Sequence, residues 1–346
     1  MGTSGEPEKR NGCDAVSAPG FFVTSSSSRY AAPPVRVGNT PMLQLTYRNG
    51  EITHTLSLKL ESANSFGSIK DRVAWAMLSG ALENGTLRSG AKLVEVSSGN
   101  LGVAIAGFSQ LLRLQAIIVS SPNIAPGNAE AIRSFGAALC FAEVQPGESA
   151  CQARIHRARE IAARTGSVFL NQYEHPATYL AHETWTAPEA FSERTFDACF
   201  VCASSGGTAR GFAGYLNQRA PHTQLVIVDA VGSNVVEAAI ADHTPPGIPG
   251  FGSVSRSAFL PIPRPCRICR VSDRDAIDAF FLLTQKGLKI GGSSAACLLG
   301  ALRWLNEQNE AQSVLCICAD DNDKYAFATP QTSSAIEAAI TRLRLA

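Results

Sequence analysis

Lys70 lies in the stretch Asn64-Ser65-Phe66-Gly67-Ser68-Ile69-Lys70-Asp71-Arg72, between an apolar run at 56–60 and a helical pattern. That pattern puts Val73, Ala74, Met77, Leu78, Ala81 and Leu82 on one face. The lysine therefore falls where a strand gives way to a helix, in the crevice where open α/β folds bind ligands. A lysine amine held neutral there can form an imine with a carbonyl. Alone, it reads more simply as a surface lysine in a helix's first turn. Three distant stretches change that reading.

The first, Val96-Ser97-Ser98-Gly99-Asn100-Leu101-Gly102, also follows a strand pattern and opens a helix. Backbone N–H groups at a helix start point at an anion, and glycine allows close approach. Ser97, Ser98 and Asn100 add side-chain donors, so a carboxylate is the natural guest. N-capping by Ser98 is the alternative. The second, Ala203-Ser204-Ser205-Gly206-Gly207-Thr208, is a row of small residues whose N–H groups can form a nest for phosphate. It lacks the Gly-Lys-Ser/Thr of a Walker loop, and a tight turn is the alternative. The third, Lys289-Ile290-Gly291-Gly292-Ser293-Ser294-Ala295-Ala296, opens a helix with hydroxyls that can bond a ring nitrogen, or simply cap it. An imine lysine, a phosphate nest and a hydroxyl for a ring nitrogen are the needs of pyridoxal phosphate. A carboxylate loop is the need of an amino-acid substrate.

The elements that must position these loops follow from the rest of the chain. It has 346 residues, 45% hydrophobic and 17% charged, enough for more than one core, so two domains are expected. Short apolar runs at 93–96, 116–119, 139–142, 168–170, 198–203, 225–228 and 314–318 alternate with helical segments. Such a pattern predicts mostly parallel sheets with helices on both faces. Residues 1–36, rich in Ser, Gly, Pro and charge, read as a mobile tail. Residues 37–174 are expected to form a smaller α/β domain carrying the substrate loop. Residues 175–346 are expected to form a larger domain that binds the phosphate. The break in texture at 232–264, rich in Gly, Pro and Ser, reads as a functional or mobile segment.

Formal net charge is +1, which favours neither nucleic acid nor a membrane surface. No apolar run reaches the roughly 20 residues of a spanning helix, and no signal peptide is evident, so a cytoplasmic protein is expected. The ten cysteines include two C-x-x-C pairs, Cys199/Cys202 and Cys266/Cys269. The first lies in a strand-like run, where positions i and i+3 face opposite ways and cannot share a metal. No metal is expected, and the thiols read as reduced and mostly buried.

Over residues 37–330 the chain resembles the cysteine synthase family of fold-type II pyridoxal-phosphate enzymes. The motifs that carry the resemblance are Gly38-Asn39-Thr40-Pro41, the Lys70 stretch, Ser97–Gly102, Asn171-Gln172-Tyr173-Glu174-His175-Pro176, Ser204–Thr208, Ser293-Ser294 and a divergent Asp320-Asp321-Asn322-Asp323-Lys324-Tyr325. The resemblance implies a two-domain, tryptophan synthase β-like α/β fold. It implies that Lys70 is catalytic and holds pyridoxal 5'-phosphate. Asn100, Ser204, Ser205, Gly206, Gly207 and Thr208 would bind the cofactor, with Ser293 or Ser294 at the ring nitrogen and Ser294 favoured. Ser97, Ser98, Gly99 and Gln172 would hold the substrate carboxylate. His175, where the family commonly has Asn, reads as a structural variant.

The implied reaction is β-replacement on an activated serine. Leu101, where the family commonly has Thr, and the stretch 248–256 resemble the branch that makes 2,3-diaminopropionate precursors. In that branch O-phospho-L-serine is the donor and L-glutamate the amine. Arg256, on the irregular segment, is a candidate to close over an anionic group. Cysteine synthesis from sulfide is the alternative reading. A catalytically silent, ligand-sensing relative is a third, against which Lys70 argues. Partners are expected to be small amino acids, and a homodimer is the family habit.

Overall fold

The computed structural model describes residues 31–237, 247–328 and 333–346. β1 (Met42–Asn49) and β2 (Ile52–Leu60) form an antiparallel hairpin across a two-residue turn, Gly50-Glu51. Gly50 takes φ +61° there, which suits glycine. The chain then reaches α1 (Lys70–Glu83), β3 (Lys92–Val96), α2 (Asn100–Leu111), β4 (Gln115–Ser120), α3 (Pro126–Ser134) and β5 (Ala138–Phe141). α4 (Ala150–Thr165) follows, started by a Ser149/Gln152 capping box and stopped at Gly166 with φ +67°. Next come β6 (Val168–Phe169), α5 (Ala177–Ala181), a π turn at His182–Thr186, α6 (Ala187–Ala190), β7 (Ala198–Cys202), α7 (Gly207–Arg219) and β8 (Gln224–Ala230). The chain closes with β9 (Arg267–Val271), α8 (Asp273–Gln285), α9 (Gly292–Leu305), β10 (Ser313–Cys318), α10 (Ser334–Thr341) and β11 (Leu343–Leu345).

These strands make two sheets. The larger has seven strands, ordered β11-β1-β2-β10-β7-β8-β9; the smaller has four, ordered β5-β4-β3-β6. β1 pairs antiparallel with both its neighbours, and every other ladder is parallel. Both faces of each sheet are covered by buried apolar side chains, as parallel sheets require. No described helix is long and apolar enough to cross a membrane.

All the expected apolar runs are strands. Three strands were not anticipated: β1, β9 and β11. They alternate or are short, because β9 and β11 are sheet edges and β1 buries only Leu45 and Tyr47 fully. A domain boundary at 174/175 does not divide the sheets. β1 and β2 precede the small sheet in sequence yet pair into the large one, because β2 lies in register with β10. The expected tail also needs correction: residues 31–36 pack on the fold. Trp75 Nε1 donates to Ala31 O at 2.6 Å, and Ser65 Oγ to Arg36 O at 2.9 Å. Residues 1–30 lie outside the described residues.

A buried charge cluster sets the start of α1. The Arg72 guanidinium donates to both oxygens of Glu61 at 2.6 and 2.7 Å and to both of Glu189 at 2.8 and 3.0 Å. Lys59 Nζ joins Glu189 at 2.6 Å and the Thr40 carbonyl at 2.6 Å. Burial works against the Arg72 cation, yet Glu61 and Glu189 hold its pKa above the ordinary arginine value. Burial likewise pushes the Glu189 carboxyl up, and Arg72 and Lys59 overcome it, holding it at about 2. The Glu189 contribution to stability is therefore complete above the ordinary carboxylate range and is lost only as pH falls toward 2. Arg72→Met leaves two carboxylates buried without their main partner. It is expected to destabilise the protein by about 3–5 kcal/mol, read from the urea midpoint at neutral pH. Glu51→Ala, which breaks the exposed Arg48–Glu51 pair, should leave the midpoint unchanged.

Candidate active site

The carboxyl ends of β2, β3, β7 and β10 face one cleft, and the loops leaving them line it. Lys70 stands at the first turn of α1 on its wall. No described group accepts a hydrogen bond from its Nζ, and burial lowers its pKa to about 8. A second amine, that of Lys324, also lines the cleft. Its Nζ donates to Gly67 O at 2.8 Å, Asn100 Oδ1 at 2.9 Å and Phe66 O at 3.4 Å. Lys70 is thus the cleft amine with an uncommitted nitrogen. Its loop is locked from behind: Asp71 accepts from the Phe66 N–H at 2.6 Å, and burial raises Asp71 to about 7.

The nest lies opposite, between β7 and the N-terminus of α7. Ser204, Ser205, Gly206 and Thr208 line the cleft. Gly206 has φ +87°, and a Cβ there would stand 2.2 Å from Ser257 Oγ. Gly207 is different. Its missing Cβ faces Thr178 Cγ2 at 2.5 Å, so this glycine lets α7 approach α5 rather than making room in the cleft. Thr208 Oγ1 lies 3.4 Å from Nε2 of the buried His182. Burial, then Lys70 and Arg72, hold that imidazole well below its ordinary pKa, so it meets Thr208 neutral.

The turn between β3 and α2 contributes Ser97, Ser98, Gly99 and Asn100 to the cleft. Ser97 Oγ is spent inside the turn, accepting from Gly99 N at 3.1 Å, while Ser98 is exposed. Gln172 lines the cleft and donates from Nε2 to Val96 O at 2.6 Å, which ties β6's loop to β3. Behind them the buried Glu95 accepts from Val96 N at 2.9 Å and Gln172 N at 3.2 Å. Burial outweighs these donors and raises its carboxyl to about 7.

Two expectations need correction. Ser293 lines the cleft, whereas Ser294 is buried with its hydroxyl turned to the backbone, accepting from Ala319 N at 3.0 Å and lying 3.5 Å from Asp320 O. Of the two, Ser293 is therefore the hydroxyl that reaches the cleft, where it hydrogen-bonds Tyr325. Arg256 is exposed and does not line the cleft. Its neighbour Ser257 is the residue that engages the nest, donating to Ser205 O at 2.7 Å. The irregular segment does reach the site, through Ser257, Pro249 and Gly250; residues 238–246 of it lie outside the described residues. His175 does not line the cleft, and its Nδ1 accepts from Ala177 N at 3.1 Å, starting α5.

Sequence reasoning passed over His182, Ser257, Asp320 and Tyr325 as site residues. The divergent 320–325 motif was a signal for the last two; His182 and Ser257 had none. Cys202 lines the cleft while Cys199, three positions earlier, faces the opposite side of β7. Among the described residues no group of three or more His, Cys, Asp and Glu side chains could hold a metal ion.

The donor set fits pyridoxal phosphate. An uncommitted amine depressed to about 8 suits its aldehyde, the nest at the start of α7 suits its phosphate, and Ser293 suits a pyridine nitrogen. Residues 35–320 match the family described as pyridoxal-phosphate dependent enzyme. The chain is 30% identical over 299 residues to the N-(2-amino-2-carboxyethyl)-L-glutamate synthase of Ralstonia nicotianae, covering 84% of this chain and 86% of that one. It is 28% identical over 299 residues to a probable cysteine synthase of Bacillus subtilis, covering 84% and 94%. Among solved structures, the O-acetylserine dependent cystathionine beta-synthase from Helicobacter pylori superposes with a TM-score of 0.76 at 27% identity, covering 84% of this chain and 95% of that one. A hydrogen sulfide-producing enzyme from Fusobacterium nucleatum superposes at 0.77 with 25% identity, covering 90% and 94%.

Two outcomes check the site. Borohydride reduction of the holoenzyme followed by peptide mapping should label Lys70, and a label on Lys324 would overturn the assignment. Glu95→Gln keeps the acceptor for Gln172 and removes the ionisation. A carboxyl raised to about 7 in the folded state costs stability as pH rises from the ordinary carboxylate range through 7. The variant should therefore gain stability over the parent at pH 8 and not at pH 5, by thermal melts at both.

Proposed function

Because this chain belongs to the pyridoxal-phosphate dependent enzyme family, we propose that it joins O-phospho-L-serine to the amine of an amino acid such as L-glutamate, giving a 2,3-diaminopropionate precursor. The coarser activity, β-replacement on a serine derivative by a pyridoxal-phosphate dependent synthase, follows from its relatives. In the finer reading the product is of the kind named for the Ralstonia relative.

One observation carries the anionic donor. Arg154, on α4, is buried, and among the described residues no carboxylate pairs with it. Its Nη1 donates to Ser121 Oγ at 2.6 Å, its Nη2 lies 3.4 Å from Tyr173 Oη, and its Nε has no partner. Tyr173 lines the cleft. A buried guanidinium without a counter-charge is costly, and an anion in the cleft beside it relieves that cost. Tyr173 links Arg154 to the cleft wall, its hydroxyl also hydrogen-bonded to Cys151. This pair takes the role expected of Arg256. Acetylserine offers no such charge.

Bound pyridoxal phosphate supplies the electron sink that acidifies the substrate's α-hydrogen and lets the β-substituent depart. The residues supply the rest. Lys70 would hold the cofactor's aldehyde, and as a free amine with a pKa of about 8 it would take the substrate's α-proton. Ser98, Gly99 and the start of α2 bind the carboxylate and orient Cα toward Lys70. The nest and Ser257 fix the phosphate end. A neutral hydroxyl at Ser293, rather than a carboxylate, would leave a bound pyridine ring less positive.

Cysteine synthesis from sulfide is the second reading, favoured by the likeness to the probable cysteine synthase of Bacillus subtilis. Steady-state kinetics with phosphoserine or acetylserine, each offered glutamate or sulfide, separates the two. Tyr173→Phe and Arg154→Met should each lower kcat/KM with phosphoserine by roughly tenfold or more, the scale of a charge-assisted contact, and alter acetylserine far less. Equal losses with both donors would show that the pair only supports the fold.

A further inference from the structure

The segment after β10 touches both the lysine loop and the carboxylate turn. Asp320 is buried. Its backbone forms an antiparallel bridge with Ser68, two residues before Lys70, and its carbonyl accepts from Gly291 N at 3.0 Å, at the start of α9. Its side chain crosses to the other sheet's helix. Asp320 Oδ2 accepts from Asn100 Nδ2 at 2.6 Å, and Tyr325 Oη donates to the same carboxylate at 2.9 and 3.0 Å. At the other end of the same amide, Lys324 Nζ donates to Asn100 Oδ1 at 2.9 Å while holding Gly67 O at 2.8 Å.

The two ends of the Asn100 amide thus meet opposite charges, both delivered by one five-residue stretch. A carboxylate can only accept and an ammonium can only donate, so the amide's orientation is fixed. Asn100 is the first residue of α2 and directly follows Ser98-Gly99. Docking alone does not need this arrangement. Phe66 already seats the lysine loop on α2, its ring lying where a Cβ on Gly107 would come within 2.2 Å, with Phe108 at 4.9 Å. What two charged hydrogen bonds add to that apolar contact is orientation.

We propose that Asp320 and Lys324 are positioning residues for the amino-acid substrate, gripping both ends of the Asn100 amide and so aiming the carboxylate turn at the Lys70 amine. The proposal rests on reading residues 97–100 as the seat of the substrate carboxylate.

The experiment uses the holoenzyme with O-phospho-L-serine and O-acetyl-L-serine as donors. Donor KM and kcat are measured for Asp320→Ala, Asp320→Asn, Lys324→Met, Asn100→Ala and the Asp320→Ala/Asn100→Ala double variant, with cofactor affinity by absorbance titration. Asp320→Ala and Lys324→Met are expected to raise donor KM roughly tenfold, with a smaller change in cofactor affinity. Asp320→Asn, which keeps an acceptor for Asn100, should recover much of that loss. In the Asn100→Ala background, removing Asp320 should add little. Additive losses in the double variant, or a fall in cofactor affinity with donor KM unmoved, would overturn the clamp. Should Asp320→Ala not fold, Lys324→Met tests the same amide from its other end. If Asn100→Ala itself leaves donor KM unchanged, the reading of the turn fails and the clamp with it. If Asn100→Ala raises KM while neither clamp variant does, the clamp alone fails.

Discussion

The Arg72 guanidinium, held between Glu61 and Glu189, is the constraint on which the cleft depends. A fully buried arginine tolerates few geometries. This one uses a carboxylate just past β2, another from α6 and the face of Trp185, 5.3 Å from the ring centroid. Those partners fix the rotation of α1 about its own axis. Two residues along a helix differ by about 200°, so turning Arg72 into the protein turns Lys70 toward the cleft. The turn at 38–41 joins the same cluster through Thr40, whose hydroxyl donates to Glu61 at 2.7 Å.

Burial then does different things to neighbouring cations according to what they touch. Lys70 finds no acceptor among the described residues, and desolvation alone brings its amine to about 8. Lys324 shares the cleft but meets two backbone carbonyls and an amide oxygen. His182, close to Lys70 and Arg72, is driven neutral and serves Thr208 as a hydrogen-bonding group rather than a charge. Arg154 is buried with no carboxylate partner among the described residues. The cleft thus holds an uncommitted amine and a hydrogen-bonded one, with a buried arginine behind Tyr173.

The cleft's two walls come from different sheets and are joined by contacts of different kinds. Phe66 against Gly107 is apolar and fixes distance; the contacts of Asp320 and Lys324 with Asn100 are polar and fix orientation. The segment past Gly247 adds a third support, since Gly252 N donates to Ala203 O at 2.7 Å and Ser257 rests on Ser205. A nest of backbone N–H groups is only as rigid as the chain packed behind it, and here Thr178 and Ser257 do that packing.

Local chemistry made much of this legible. Continuous β-rich runs named the buried parallel strands, because a strand covered on both faces has no polar side to show. Small residues between a strand and a helix marked the turns at 97–102 and 204–208, since glycine and serine suit such turns whatever the rest of the chain does. Lys70 was legible from its place between a strand and a helix. What the sequence could not reveal depended on distance through space. Ser293 and Ser294 are equivalent as letters, and only the packing of α9 against β10 turns one to the cleft and the other to Ala319. Arg256 reads in sequence as an anion ligand and Arg154 does not stand out; folding leaves the first in solvent and buries the second behind Tyr173. β1 and β2 belong by sequence with the small sheet and by hydrogen bonding with the large one. Side-chain type and local spacing determine which turns and strands form. Which of them face each other, and which charges lose their water, is decided only when distant strands pair.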